Sequence, residues 1–126
     1  MLTHVMVGTN DFAKANAFYE ASLGALGIAG QNMGDRAFFS DGEGPAFGVG
    51  SPADGNPASS ANGGTIGFRA QDAAAVDAFH AAGLSHGGSD AGAPGVRENS
   101  PGKMYGAYLR DPDGNKICAF APNPND

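Results

Sequence analysis

The sequence predicts an α+β fold of two βαβββ modules whose strands form a cupped mixed sheet. Three observations carry that prediction. Residues 3–24 shifted by 61 positions fall on 64–85, so that Asp11 meets Asp72, Ala13 meets Ala74, Ala17-Phe18 meets Ala78-Phe79, Ala21 meets Ala82 and Leu23 meets Leu84. At a shift of 70, Asp41, Glu43 and Gly44 meet Asp111, Asp113 and Gly114. Both copies also keep one order of parts: an apolar strand, a helical segment opening near an aspartate, and a hairpin closed by an Asp- and Gly-bearing turn. A repeat that preserves order as well as identity marks two similar supersecondary units. With 126 residues the chain is expected to be one domain over 1–126, with module one at 1–50, a linker at 51–63 and module two at 64–121.

The elements follow in order. The first strand is expected at 2–8 around Val5-Met6-Val7, and a helix at 11–23 carries Phe12, Ala15, Phe18, Tyr19 and Leu23 as an apolar stripe. Asp11 stands where its carboxylate can accept from the free N–H groups of the first turn. Short strands are expected near 26–31, 35–40 and 45–50, the last two joined through Asp41-Gly42-Glu43-Gly44. The segment Ser51-Pro52-Ala53-Asp54-Gly55-Asn56-Pro57 is rich in turn formers and reads as the start of the linker. Module two repeats the plan with a strand at 64–70, and a helix at 72–83 whose segment supplies Val76, Phe79 and Leu84. An irregular loop is expected through 84–103, then strands at 104–110 and 115–121 around Asp111-Pro112-Asp113-Gly114.

Composition narrows the function. The 7 Lys and Arg residues against 13 Asp and Glu give a net charge of -6, which argues against nucleic acid and anionic membranes as partners. The single cysteine, Cys118, excludes an intrachain disulfide and a cysteine-built zinc site. No apolar run approaches the ~20 residues of a membrane span. The N-terminal residues lack the basic start and apolar stretch of a signal peptide, so a cytoplasmic protein is expected.

Alternation along the strands sorts side chains by face. If Val5, Val7, Ile66 and Phe68 pack under the helices, the open face is lined by His4, Met6, Gly48, Gly50, Thr65, Gly67, Arg69, Cys118 and Phe120. Such a face, mostly small or apolar with a few polar groups, suits a small-molecule pocket. Tyr105, Tyr108, Arg97, Glu98 and Lys103 fall on or beside the late loop, where a lid would lie. Several of these residues have plainer readings. His4 also reads as a hydrogen-bonded core-edge histidine, Cys118 as a small buried filler, and Arg69 as the partner of a structural carboxylate. The Asp-Pro-Asp-Gly turn reads as structural.

Thr3-His4-Val5, Ala17-Phe18-Tyr19, Ala78-Phe79-His80, Gly92-Ala93-Pro94-Gly95 and Arg110-Asp111-Pro112-Asp113-Gly114-Asn115-Lys116-Ile117 resemble signatures of the glyoxalase, bleomycin-resistance and extradiol-dioxygenase superfamily, the vicinal oxygen chelate fold. The resemblance covers essentially the whole chain. It implies a divalent-metal site between the modules, with His or Gln on the first strand and Glu on the last strand of each. Carried onto this chain, those places are His4, Gly48, Thr65 and Cys118. Glycine has no ligating side chain, threonine is a poor ligand for a divalent metal, and Cys118 stands where the family usually has Glu. Two usable ligands fall short of the three or four that hold a catalytic metal. The expectation is therefore a small-molecule binder with a degenerate metal site, no cofactor, and His4, Met6, Gly48, Thr65, Arg69, Tyr105, Tyr108, Cys118 and Phe120 as pocket residues. The resemblance also implies a homodimer. The alternative is a metal-dependent glyoxalase-like lyase or dioxygenase.

Overall fold

The computed structural model describes residues 1–125. Their order is β1 (His4–Gly8), α1 (Phe12–Gly24), β2 (Ala29–Asn32), β3 (Arg36–Ser40), β4 (Ala46–Gly50), β5 (Ile66–Arg69), α2 (Ala73–Ser85), β6 (Ser89–Val96), β7 (Tyr105–Arg110) and β8 (Lys116–Ala121). Two four-stranded mixed sheets result, in the orders β1-β4-β3-β2 and β5-β8-β7-β6. In each sheet the first strand of the module runs parallel to the last, and the other pairs are antiparallel. This is the expected pair of βαβββ modules.

Both helices start as the sequence predicts. Asp11 caps α1 by accepting from Lys14 N, and Asp72 caps α2 by accepting from Ala75 N. The buried side of α1 is Ala15, Asn16, Phe18, Tyr19, Ser22 and Leu23, a helical stripe. In α2 it is Val76, Phe79, His80 and Gly83. Leu84, expected on that stripe, is instead 43% exposed. Gly83 lies at the close approach: a Cβ there would collide with Leu109 and stand 3.1 Å from Phe18 Cε1. The glycine lets α1 and α2 pack together, and that rotation turns Leu84 outward.

The irregular loop expected through 84–103 is partly a strand. Residues Ser89–Val96 form β6 along β7, with register shifts between Asp90 and Gly92 and between Gly92 and Gly95. Pro94 falls within the second shift on this edge strand, where no ladder hydrogen bond is lost. A run of Ala, Gly and Pro carries no period-two apolar signal, so pairing with β7 decides the structure. The linker is anchored rather than free. Ala58 N donates to Asn10 Oδ1 and Asn10 Nδ2 donates to Ala58 O.

One core spans both modules. Phe18, Tyr19 and Leu23 of α1, Phe39, Phe47 and Val49 of the first sheet, Phe79 of α2, and Leu109, Ile117 and Ala119 of the second sheet are all buried in it. Phe47 meets Phe68 of the other module edge-on, with centroids 5.2 Å apart. The β7–β8 turn docks the modules. The Asp111 carboxylate accepts from the backbone of Asp113 and Asn115, from Asn115 Nδ2, and from the Tyr19 hydroxyl at 2.6 Å. Asn10 N donates to Asp113 Oδ1, and Asn115 Nδ2 also donates to Gly8 O. Burial first, then the Asp111 charge and hydrogen bond, hold the Tyr19 hydroxyl well above the usual tyrosine range. The phenol therefore stays protonated. Its contribution is complete at neutral pH and fades only as the unfolded chain's tyrosine ionises above about 10.

Tyr19→Phe should keep the ring in place and remove one donor from a buried carboxylate. The expected loss is about 1–3 kcal/mol of unfolding free energy in urea at pH 7, the cost of leaving a buried polar group short of a partner. A variant as stable as the parent would deny the docking role of this bond.

Candidate functional site

The helix-free face of the second sheet is built by simple alternation. Ile117, Ala119 and Ala121 are fully buried on the helix side of β8, so Lys116, Cys118 and Phe120 point the other way. The ladder extends this face across the sheet. Gly67 and Tyr108 lie beside Cys118, Arg69 and Gly106 beside Phe120, and Arg110 beside Lys116. The Phe120 ring meets Tyr108 edge-on, centroids 5.7 Å apart, and lies over Gly106, where a Cβ would sit 2.6 Å from the ring. Arg97 lies alongside Gly92 and Gly95, filling room that side chains would occupy. Its Nη2 donates to Ala93 O at 2.5 Å, and its guanidinium carbon stands 5.6 Å from the Tyr108 centroid. Lys116 Nζ stands 4.9 Å from the same ring. Gly67 and Arg69 are exposed.

The helix-free face of the first sheet carries Met6, Phe38 and Gly48. A Cβ at Gly48 would collide with Met6 Sδ and lie 2.8 Å from Phe38 Cε1, so these two side chains occupy the space the glycine leaves. His4 is exposed, its Nδ1 2.9 Å from Thr3 Oγ1. A recess of about 710 Å³ opens where Met6, Arg36 and Gly50 face the linker residues Pro52, Asp54 and Ala58. A second, of about 310 Å³, lies between Met6, Thr65 and Lys116.

The donors present do not fit a metal of the family type. Gly48 offers no ligand, and Thr65 offers a neutral hydroxyl one residue before β5. The register puts Met6, not His4, beside Gly48, and Gly67, not Thr65, beside Cys118. Cys118 is buried, and burial pushes its thiol up to about 11, with Lys116 pulling weakly the other way. Among the described residues no group of three or more His, Cys, Asp or Glu side chains is placed to hold a metal ion.

Of the expected pocket residues, Arg69, Tyr108, Cys118 and Phe120 share the second sheet's open face, while Met6 and Gly48 share the first sheet's. Tyr105 belongs to neither. It faces α2, where its hydroxyl donates to Asp77 Oδ1 at 2.6 Å. Tyr105 and Tyr108 do not share the expected lid surface, because residues three apart on a strand point to opposite faces. Lys116 was absent from the expected lining although it alternates with Cys118 and Phe120. The contact of Arg97 with Tyr108 had no signal, because it depends on the unforeseen strand β6. His80, on α2, bonds Asp90 Oδ1 at 2.8 Å, and His86 Nδ1 lies 2.8 Å from Ala82 O.

Two four-stranded mixed sheets, each from one βαβββ module, define the vicinal oxygen chelate class of fold. The family model described as the Glyoxalase/Bleomycin resistance protein/Dioxygenase superfamily matches residues 1–119, and the chain belongs to that superfamily. It is similar to a glyoxalase/bleomycin resistance protein from Albidiferax ferrireducens T118, at 49% identity and a TM-score of 0.90, over 96% of this chain and 98% of that one. A glyoxalase-related enzyme from Fulvimarina pelagi shares the fold at 15% identity and a TM-score of 0.74, over 96% and 87% of the two chains. A lactoylglutathione lyase from Agrobacterium tumefaciens shares it at 20% identity and a TM-score of 0.61, over 96% and 92%. No curated protein matches the chain. No helix among the described residues is long and apolar enough to cross a membrane.

The buried thiol gives a direct check on the second sheet. With Cys118 raised from an ordinary 9.0 to about 11, its native thiolate at pH 8 should be roughly a hundredfold scarcer than in the unfolded chain. Alkylation by iodoacetamide should be correspondingly slow in buffer, fast in urea, and should accelerate in the native protein as pH rises towards 11. Equal rates in buffer and urea at pH 8 would contradict the burial of Cys118.

Proposed function

We propose that the chain binds a small organic molecule on its helix-free sheet surface, without a resident metal, and works as a cytoplasmic homodimer. The observation that carries this reading is the second sheet's open face. Its floor is Cys118, Phe120 and Tyr108, Gly67 leaves room beside them, and both helices lie on the other side. An apolar floor with a few polar groups at its margin is what recognition of a small ligand requires. The metal-dependent lyase or dioxygenase reading needs a set of ligands that Gly48 and Thr65 do not supply.

Amide NMR shifts of the labelled protein test the reading against a collection of small organic compounds. Perturbations should gather on Gly67, Arg69, Tyr108, Cys118 and Phe120, and Zn²⁺ should leave those resonances unchanged. Ligand shifts confined to other surfaces would reject the site. Stoichiometric Zn²⁺ binding at these residues would reject the metal-free part.

The dimer rests on surface left uncovered by one chain. β1 and β5 are each an edge of their sheet, and Leu2, Met6 and Met33 are 54%, 43% and 53% exposed. Unpaired edges and apolar side chains favour association with a second copy, and closed twofold pairing is the commonest form. Sedimentation at micromolar concentration should give a two-chain species, and a clean single-chain species would count against it.

A further inference from the structure

The chain carries 7 cationic side chains from Lys and Arg against 13 acidic ones. Four of those cations, Arg69, Arg97, Arg110 and Lys116, stand on or at the margin of the second sheet's helix-free face. Strands β5 to β8 contain a single carboxylate, Asp90, which is turned to the helix side and bonded to His80. Among the described residues none of the four cations has a carboxylate within 4.0 Å; the ion pairs are Arg36–Asp35, His80–Asp90 and Lys103–Glu98. In an acidic chain this local excess of unpaired positive charge is unusual.

Two of the four are held in place. Arg97 and Lys116 both lie against the Tyr108 ring, whose electron-rich face attracts them. Arg97 is tied further through Ala93 O. Arg110 Nη1 is already used on Gly114 O, so it adds charge rather than a free fork. Arg69 is exposed on the edge strand β5, one row from Cys118. The cations thus border a floor of Tyr108, Phe120, Cys118 and the open backbone at Gly67. The Cys118 thiol, pushed up by burial, stays neutral at physiological pH and adds no negative charge.

We propose that this face takes an organic oxyanion, a carboxylate or related acid group on a flat or apolar body. The body lies on Phe120 and Gly67 above the buried Cys118, and the acid group meets Lys116 and Arg97, with Arg69 across the floor. This specifies the chemical class of ligand for the site proposed above and rests on that reading. Charge complementarity selects the class. Phe120 and Tyr108 offer aromatic surface to the body, and although the Arg97 charge reaches Asp90, none of the cations is locked in an ion pair that an incoming acid would have to displace.

The test uses three probes of one shape: benzoate, benzamide and benzylammonium. Each is titrated into the labelled full chain at low salt while amide shifts are followed. Benzoate should bind with shifts centred on Gly67, Tyr108, Cys118 and Phe120, benzamide more weakly, and benzylammonium least. Lys116→Gln, Arg97→Gln and Arg69→Gln should each weaken benzoate roughly three- to fivefold, as expected for partly exposed charge pairs, and leave benzamide unchanged. Lys14→Gln, on the exposed side of α1, should change neither. Higher salt should weaken benzoate alone. Spectra of the free variants confirm folding, and if loss of the Ala93 bond unfolds Arg97→Gln, the other two variants carry the test. Benzamide binding as tightly as benzoate on this face, or benzoate indifferent to Lys116→Gln and Arg69→Gln, would overturn the oxyanion proposal and leave the ligand site standing. Failure of all three probes to shift this face would overturn both.

Discussion

The buried carboxylate of Asp111 holds the two modules as one body. It accepts two backbone N–H bonds from its own turn, one bond from Asn115 Nδ2 and one from the Tyr19 hydroxyl, which belongs to the other module. A carboxylate removed from water is tolerable when several donors replace its hydration. The same turn reaches across twice more, through Asp113 to Asn10 N and through Asn115 to Gly8 O. Gly8 and Asn10 frame the connection from β1 into α1, so this short turn sets where the first strand and first helix of module one sit against module two. Both carboxylates of the Asp-Pro-Asp-Gly sequence serve that task, Asp113 through Oδ1 only, its Oδ2 being buried without a hydrogen-bond partner.

The duplicated plan uses this interface only once. At the place corresponding to Tyr19 the second helix has His80, which bonds Asp90 of its own module. The turn corresponding to Asp111 begins with Asp41, which is exposed and accepts from Glu43 N alone among the described residues. Module two is therefore braced internally, and module one leans on it. One consequence is that α1 and α2 share one interior with a side of each sheet. The other sides keep Met6 and Phe38 on one sheet and Tyr108 and Phe120 on the other as surface.

Much of this was legible from residue order. The internal correspondences gave the modules, Asp11 and Asp72 gave the helix starts, and period-two alternation in β8 gave the facing of Cys118 and Phe120. What escaped was decided by partners rather than by local pattern. β6 has no apolar alternation and exists because β7 supplies a ladder. Leu84 is the residue apolar periodicity selects, yet the close packing of Phe18 and Leu109 on Gly83 turns it to solvent. Tyr105 was grouped with Tyr108 by nearness in sequence, although strand geometry separates them. Of the site, the floor was visible and the cations only in part. Arg69 follows from alternation along β5 and Lys116 from alternation along β8, while the position of Arg97 beside Tyr108 depends on the shifted register of β6, which spacing does not encode.

The loss of ligands and the gathering of cations belong to one electrostatic problem. A divalent metal bound among fixed donors supplies concentrated positive charge, which is how such an ion holds and polarises substrate oxygens. A chain with glycine and threonine at two of the four positions lacks two of the donors such an ion needs. In the proposed site, anion recognition comes from side chains, in a protein whose overall charge repels anions. Glycines at 92 and 95 open the room in which Arg97 lies along β6, and alternation on β8 puts Lys116 on the same side as Cys118. Both converge on one tyrosine ring, which steadies them without neutralising them. A glutamate at 118 would cancel part of that field, whereas a neutral buried thiol leaves it intact. In the proposed site, the cysteine that stands where the family usually has glutamate thus keeps the face attractive to an oxyanion.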